Sequence, residues 1–346
     1  MAERANLDRF DWLAQTVEPA IDPHRPIVDA HHHLWDRNGS VYLAAELLAD
    51  VAGSHNVVRT VFVECGSDYD QGRAEQLRPV GETDFVRRQA TDAERTGDGP
   101  VIGAIVGHAD MMLGDAVEEV LAAHVEAGGG LFRGIRHATS WDASDEIRPG
   151  HSRPFGQMMR TPEFQAGVRT LAGMGLSFDA WLFHTQLDDL GALADAVPEA
   201  TIVLDHLGGP LGVGPYAGGR EAVRADWRAA IARVARRENV VVKIGGIGME
   251  WYFGMGWAAR PAPPGSEEVA AYWSDDVRYC IDTFGPARSL AESNFPVDRA
   301  SLPYPVLWNA LQIMCSGYDD AEQDRIFSGT AADVYALGDV TGDPAG

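Results

Sequence analysis

The stretch "IVDAHHHLWD", residues 27–36, joins an apolar run directly to a cluster of polar side chains. A strand that is apolar along its length and polar at its C-terminal end is the repeating unit of a parallel β/α barrel. The apolar part packs inside the domain, and the polar end faces the mouth. On an extended backbone, residues two apart point to one side, so His31 and His33 face together while His32 points away. That spacing suits chelation.

Working outward, similar β-branched runs recur: "PIVDAHHH" (26–33), "VVRTVFVEC" (57–65), "VIGAIVGHAD" (101–110) and "LFRGIRHA" (131–138). They continue with "LSFDAWLFH" (176–184), "TIVLDHLGG" (201–209), "NVVVKIGG" (239–246) and "RSLAESNF" (288–295). Helical spacing fills gaps between them at 115–128, 162–175 and 221–239, with Gly129, Gly130 and Gly175 placed to cap two of these helices. Eight alternations predict the α/β class and a single (β/α)8 TIM barrel over residues 26–338. An N-terminal extension (1–25) and a short tail (339–346) flank it. An open doubly wound sheet is the rival topology.

The bulk numbers bound the partners. A chain of 346 residues that is 45% hydrophobic can bury a substantial core. A formal charge of −23 disfavours nucleic acid and anionic membranes, whose phosphates demand cationic partners. Cys65, Cys280 and Cys315 are too few and too scattered for a disulfide framework or a C-x-x-C site. The N-terminus lacks the apolar core of a signal peptide. The expectation is a cytoplasmic protein acting on a small molecule, with self-association left open.

Polar residues at the strand ends are the site candidates. They are His31 and His33, Glu64, His108 and Asp110, Arg136 and His137, His184, Asp205 and His206, Lys243, and Glu292 with Asn294. A lone strand-end histidine is usually a hydrogen-bonded structural group. An H-x-H pair joined by two further strand-end histidines instead suggests zinc, iron or manganese. Lys243 is a candidate substrate contact, but for it, His108 and His137 no spacing favours that role over packing or salt bridging, while His24, His55, His124 and His151 read as surface residues. Arg133 and Arg136 are suited to clamping a substrate carboxylate. Two glycine-rich loops, 208–219 and 245–257, follow strands but lack a phosphate-loop pattern. The second carries Trp251 and Tyr252, which would make an apolar substrate wall.

Taken in order, "IVDAHHHLWD", "FRGIRHA", "FDAWLFHTQL", "IVLDHLGGP", "NVVVKIGG" and "ESNFPVD" resemble the amidohydrolase-related family of the amidohydrolase superfamily. That branch holds sugar-acid and pyrone-dicarboxylate lactonases and, more distantly, non-oxidative decarboxylases. The resemblance implies a metal pair at His31 and His33, further ligands at His184 and His206, and hydrolysis by activated water. Some lactonases of the branch work without metal, so metal content is not inherited from the resemblance.

One departure stands out. Where the lactonases read Gly-Ser-Asp-Trp-Pro, this chain reads Glu292, Ser293, Asn294, Phe295, Pro296, so an amide takes the place of the general base. Asn cannot accept a proton usefully near neutrality. Glu292, two residues earlier, and Glu64 are the carboxylates expected to complete the site, around one or two divalent ions. The competing role for Glu292 is an ion pair with Arg136. The leading function is hydrolysis of a lactone, ester or thioester of a small carboxylated or cyclic molecule. The alternatives are a decarboxylase, an iron or manganese redox enzyme, and an inactive partner-dependent subunit.

Overall fold

The computed structural model describes residues 7–37, 39–52, 55–96 and 101–340. The eight barrel strands are β1 (Ile27–His32), β2 (Val57–Val63), β3 (Val101–Gly107), β4 (Phe132–Arg136), β5 (Ser177–Ala180), β6 (Ile202–Leu204), β7 (Val240–Lys243) and β8 (Ser289–Leu290). Each pairs in parallel with the next in chain order. The barrel closes where residues just past β8 meet β1: Asn294 N donates to His31 O at 2.8 Å and His33 N to Phe295 O at 2.8 Å. All eight expected runs are strands of one TIM barrel, and the doubly wound alternative is set aside.

The helices form for local reasons that the sequence carries. Thr161 accepts from Phe164 N at the start of Pro162–Gly173, with proline in the first turn, where its missing N–H costs nothing. Gly129 caps Glu118–Gly128 in the left-handed conformation. The expected helix at 221–239 spans Arg220–Val234.

Two apolar layers hold the barrel. Helices pack on its outside through one large cluster that includes Phe62, Phe164, Phe178, Trp227 and Trp308. Inside, a smaller cluster of Val28, Ala30, Val61, Val63, Ala104, Val106, Val203, Val241 and Leu290 fills the lower half. Each fully buried side chain of this size contributes about 1.5–3 kcal/mol by leaving water. The N-terminal end is plugged by the turn Thr330–Val334 and by Tyr335, whose phenol donates to Asp179 at 2.7 Å in the interior. The three cysteines are free, and among the described residues no helix is long and apolar enough to cross a membrane.

Residues before β1 pack on the barrel's side. Trp12 Nε1 donates to Arg260 O at 2.9 Å and Asn309 donates to Glu18 at 3.1 Å. His55 and His124, expected at the surface, are buried. His55 bonds Asn309 at 3.0 Å, and His124 lies between Thr83 and the His108 carbonyl at 2.7 and 2.9 Å. Amphipathic imidazoles here satisfy core polar groups, a role that a one-dimensional pattern does not reveal.

Candidate active site

Above the apolar floor the barrel interior turns polar and charged. His31 on β1 and Asp205 and His206 just past β6 each bring one donor atom within 4.8 Å of the others. The rings of His31 and His206 are 4.6 Å apart, and those of His31 and His33 are 4.9 Å apart, edge to face. His32 turns outward against Phe62, as the strand alternation requires.

Glu292 lies between the two imidazoles. Its Oε1 accepts from His206 Nδ1 at 2.7 Å and from the His206 backbone amide at 3.2 Å. That contact assigns the ring proton to Nδ1 and leaves Nε2 as the lone-pair nitrogen. Glu292 Oε2 lies 3.0 Å from His31 Nδ1 but receives no directed hydrogen bond. His206 and Leu207 are held in the left-handed region, at φ 53° and 57°. Such a conformation costs about 1–3 kcal/mol and collects at functional sites. The same crowding fixes Gly246, where a Cβ would fall 2.0 Å from His206 Nδ1.

Two cations reach the centre. Lys243 Nζ donates to Asp179 at 2.7 Å, and it lies 3.0 Å from Asp205 Oδ1 and 3.2 Å from His31 Nδ1. Its directed bonds go to Asp179 and His31, so Asp205 is ion-paired with Lys243, and with Arg136 Nη1 at 3.8 Å, while neither of its oxygens receives a directed hydrogen bond. Arg136 Nη1 lies 3.2 Å from His31 Nε2. Its Nε donates to Glu64 Oε1 at 2.8 Å, and its Nη2 donates to the Glu64 carbonyl. Burial, followed by the charge of Lys243 and by His206, His33 and Arg136, drives the His31 imidazole well below its usual range. That shift favours the neutral imidazole, the form that can donate to a cation.

These contacts place each expected residue. His31, His206 and Glu292 come together at the centre, and Asp205 joins them. Glu64 does not: it lies across Arg136, which pairs with it rather than with Glu292. His33 is engaged on both sides, 2.7 Å from Val63 O through Nδ1 and 3.2 Å from Asn294 Oδ1 through Nε2. Asn294, at φ 57°, passes its amide N–H on to Asp298 at 2.8 Å. Burial pushes the Asp298 carboxyl well above the carboxylate range.

His184 stands apart from the three donors. It accepts from Leu211 N at 3.3 Å and packs its ring against Tyr216 at 5.1 Å. Arg133 sits at the opposite end of β4, its Nε on Tyr335 O at 2.8 Å and its Nη1 on Gly130 O at 2.6 Å. It therefore anchors the barrel floor instead of meeting a substrate. Lys243 is fully buried among carboxylates. Tyr252 does form part of an aromatic wall: its ring is 5.7 Å from Trp181, which lies 4.9 Å from His206. Trp251 flanks Tyr252 at 6.1 Å. Asp179, Trp181 and Asp298 were not singled out from sequence, although an aspartate inside the apolar run "LSFDAW" is a readable signal.

The amidohydrolase family model matches residues 28–337. The Sinorhizobium fredii protein y4mH is 30% identical over 335 residues, covering 90% of this chain and 98% of its own. A Burkholderia multivorans amidohydrolase solved with bound zinc is 23% identical, with TM-score 0.68 over 90% of this chain and 99% of that one. A probable 2-pyrone-4,6-dicarboxylic acid hydrolase from Acinetobacter baumannii follows at 12% identity and TM-score 0.58 over 90% and 99% of the two chains. A manganese-bound dihydroxybenzoic acid decarboxylase from a Polaromonas species is 14% identical, with TM-score 0.55 over 91% and 98%. At these identities the solved structures establish the shared fold alone. The family match over nearly the whole chain, together with the ordered strand-end motifs, makes this protein a member of the amidohydrolase family.

Proposed function

We propose that the chain is a divalent-metal-dependent hydrolase. It would cleave the carbonyl bond of a lactone, ester or thioester in a small carboxylated or cyclic molecule, with His31, Asp205 and His206 holding the ion. The observation that carries this reading is the Asp205 carboxylate, fully buried with neither oxygen hydrogen-bonded, beside two imidazole donors. Lys243 balances the charge of Asp205 at 3.0 Å but leaves both of its oxygens without a directed hydrogen bond, and a divalent cation binds such a set of carboxylate and imidazole donors well. A divalent ion there would acidify a water and polarise the substrate carbonyl.

The chain's own residues divide the remaining work. Glu292 Oε1 fixes the His206 ring, so its lone-pair nitrogen points away from the carboxylate. Glu292 Oε2, which no donor satisfies, is the atom that accepts the proton of the attacking water. Glu292 thus takes over the task that the amide at Asn294 cannot perform. Hydrolysis then adds hydroxide to the carbonyl carbon, and the proton passes to the leaving alkoxide or thiolate. Lys243 keeps Asp179 and Asp205 compatible with burial, and the Trp181 and Tyr252 rings offer an apolar face to the substrate body.

The relatives that carry this fold include hydrolases and a decarboxylase, so the assay must separate the two. Metal-free protein reloaded with zinc or manganese is tested on lactone, ester, thioester and aromatic carboxylate panels. The expected result is acid release with water uptake, abolished by chelator and restored by metal. Carbon dioxide release without water uptake would assign the decarboxylase reaction instead.

A further inference from the structure

A second group of ligating side chains lies at the mouth, across Arg136 from the centre, and the hydrolytic reading makes no use of it. Glu64 follows β2, His108 follows β3, and His151 arrives on the loop after β4. One donor atom of each falls within 4.8 Å of the others. Three features set this group apart from a chance surface cluster.

First, His108 Nδ1 lies 3.1 Å from the Arg136 carbonyl and must donate to it, so Nε2 is the unprotonated nitrogen. A backbone carbonyl holding the far nitrogen is the usual support of a metal-binding imidazole. Tyr69 stacks on that ring, 6.5 Å away at 20°, and His137 meets it edge-on at 5.3 Å, so its orientation is fixed. Second, the two oxygens of Glu64 are divided. Arg136 holds Oε1 at 2.8 Å, while Oε2 faces His151 Nε2 at 2.9 Å. Third, burial is graded: Glu64 is sealed, but the His151 side chain is 46% exposed, which gives an ion and its waters a way in.

We propose that Glu64, His108 and His151 form a second divalent-cation site at the barrel mouth. Two imidazoles and one carboxylate are a donor set suited to zinc or cobalt(II), with water completing the shell on the open side. The ion would replace the His151 proton that now bridges to Glu64, and Glu64 would carry Arg136 on one oxygen and the ion on the other. The site does not depend on the central one, because Arg136 separates the two.

The test is the stoichiometry of zinc and cobalt(II) bound to the full-length protein at neutral pH, read by equilibrium dialysis and by cobalt absorption. Wild type is expected to bind two equivalents. His151→Ala, on an exposed loop, and His108→Ala are each expected to bind one, with unchanged circular dichroism. His206→Ala is expected to lose the other equivalent and keep this one. A wild type that binds a single equivalent retained in His151→Ala and lost in His206→Ala would overturn the proposal while sparing the central reading. A single equivalent with the opposite pattern would uphold it and overturn the central ion. Two equivalents surviving in His151→Ala, or none in wild type, would also overturn it.

Discussion

The two polar clusters flanking Arg136 use the same kinds of side chain under opposite conditions. At the centre, His31, Asp205 and Glu292 are fully buried, with three carboxylate oxygens lacking hydrogen bonds. At the mouth, Glu64 has both oxygens bonded, one of them to the half-exposed His151. The clusters differ in how far their carboxylate oxygens are satisfied by hydrogen bonds, and not in residue type or in the burial of the carboxylates. Asp205 and Glu292 keep oxygens that no hydrogen-bond donor meets, whereas Glu64, equally buried, has each oxygen held by a side chain.

Substitutions on either side of Arg136 test that contrast. Glu292→Gln keeps the volume but removes the proton acceptor, so kcat is expected to fall about 10²- to 10⁴-fold. Glu64→Gln, across Arg136, should cost far less turnover, and equal losses in the two variants would erase the distinction. Lys243→Met is expected to destabilise the fold by about 3–5 kcal/mol in chemical denaturation, because Asp179 and Asp205 would be left buried without their cation. Tyr335→Phe, which removes only one neutral donor to Asp179, should cost about 1–2 kcal/mol in the same assay.

The smallest effect concerns pH. Glu82, behind the mouth cluster, accepts from Cys65 N at 3.0 Å and Ser67 N at 2.7 Å. Burial, then the charge of Glu64, raises its carboxyl from 4.5 to about 7. Above about 4.5 the unfolded chain releases this proton while the folded one keeps it, so stability falls with rising pH until the folded group also ionises near 7. Glu82→Gln should therefore melt like wild type below about 4.5 and progressively higher than wild type up to about 7. A difference in melting temperature that does not vary across that window would contradict this assignment.

The barrel was legible because its signals are periodic. Eight apolar runs separated by helical spacing fix the topology whatever the loops do, and the order of strands follows chain order. The centre was half legible. His31, His206 and Glu292 stand at strand ends and converge as the alternation implies. His184 does not, because the chain leaves β5 at Ala180 and His184 opens a helical turn beyond it. Arg133 misled for a related reason: it is three residues nearer the N-terminal end of β4 than Arg136, and that distance places it on the barrel floor. His151 carried no signal at all, since a loop residue has no periodicity to locate it in space. Asp205 stands among the strand-end candidates, but nothing in the sequence raises it to a ligand, because its lack of directed hydrogen bonds is a three-dimensional fact.

We assign the central divalent ion to Asp205, His31 and His206. Anomalous diffraction at the zinc edge from zinc-loaded crystals tests it most directly. A peak is expected at about 2.0–2.2 Å from a His31 nitrogen, an Asp205 oxygen and His206 Nε2. A loaded crystal with no peak bounded by those three residues, Lys243 still filling the space beside Asp205, would contradict it.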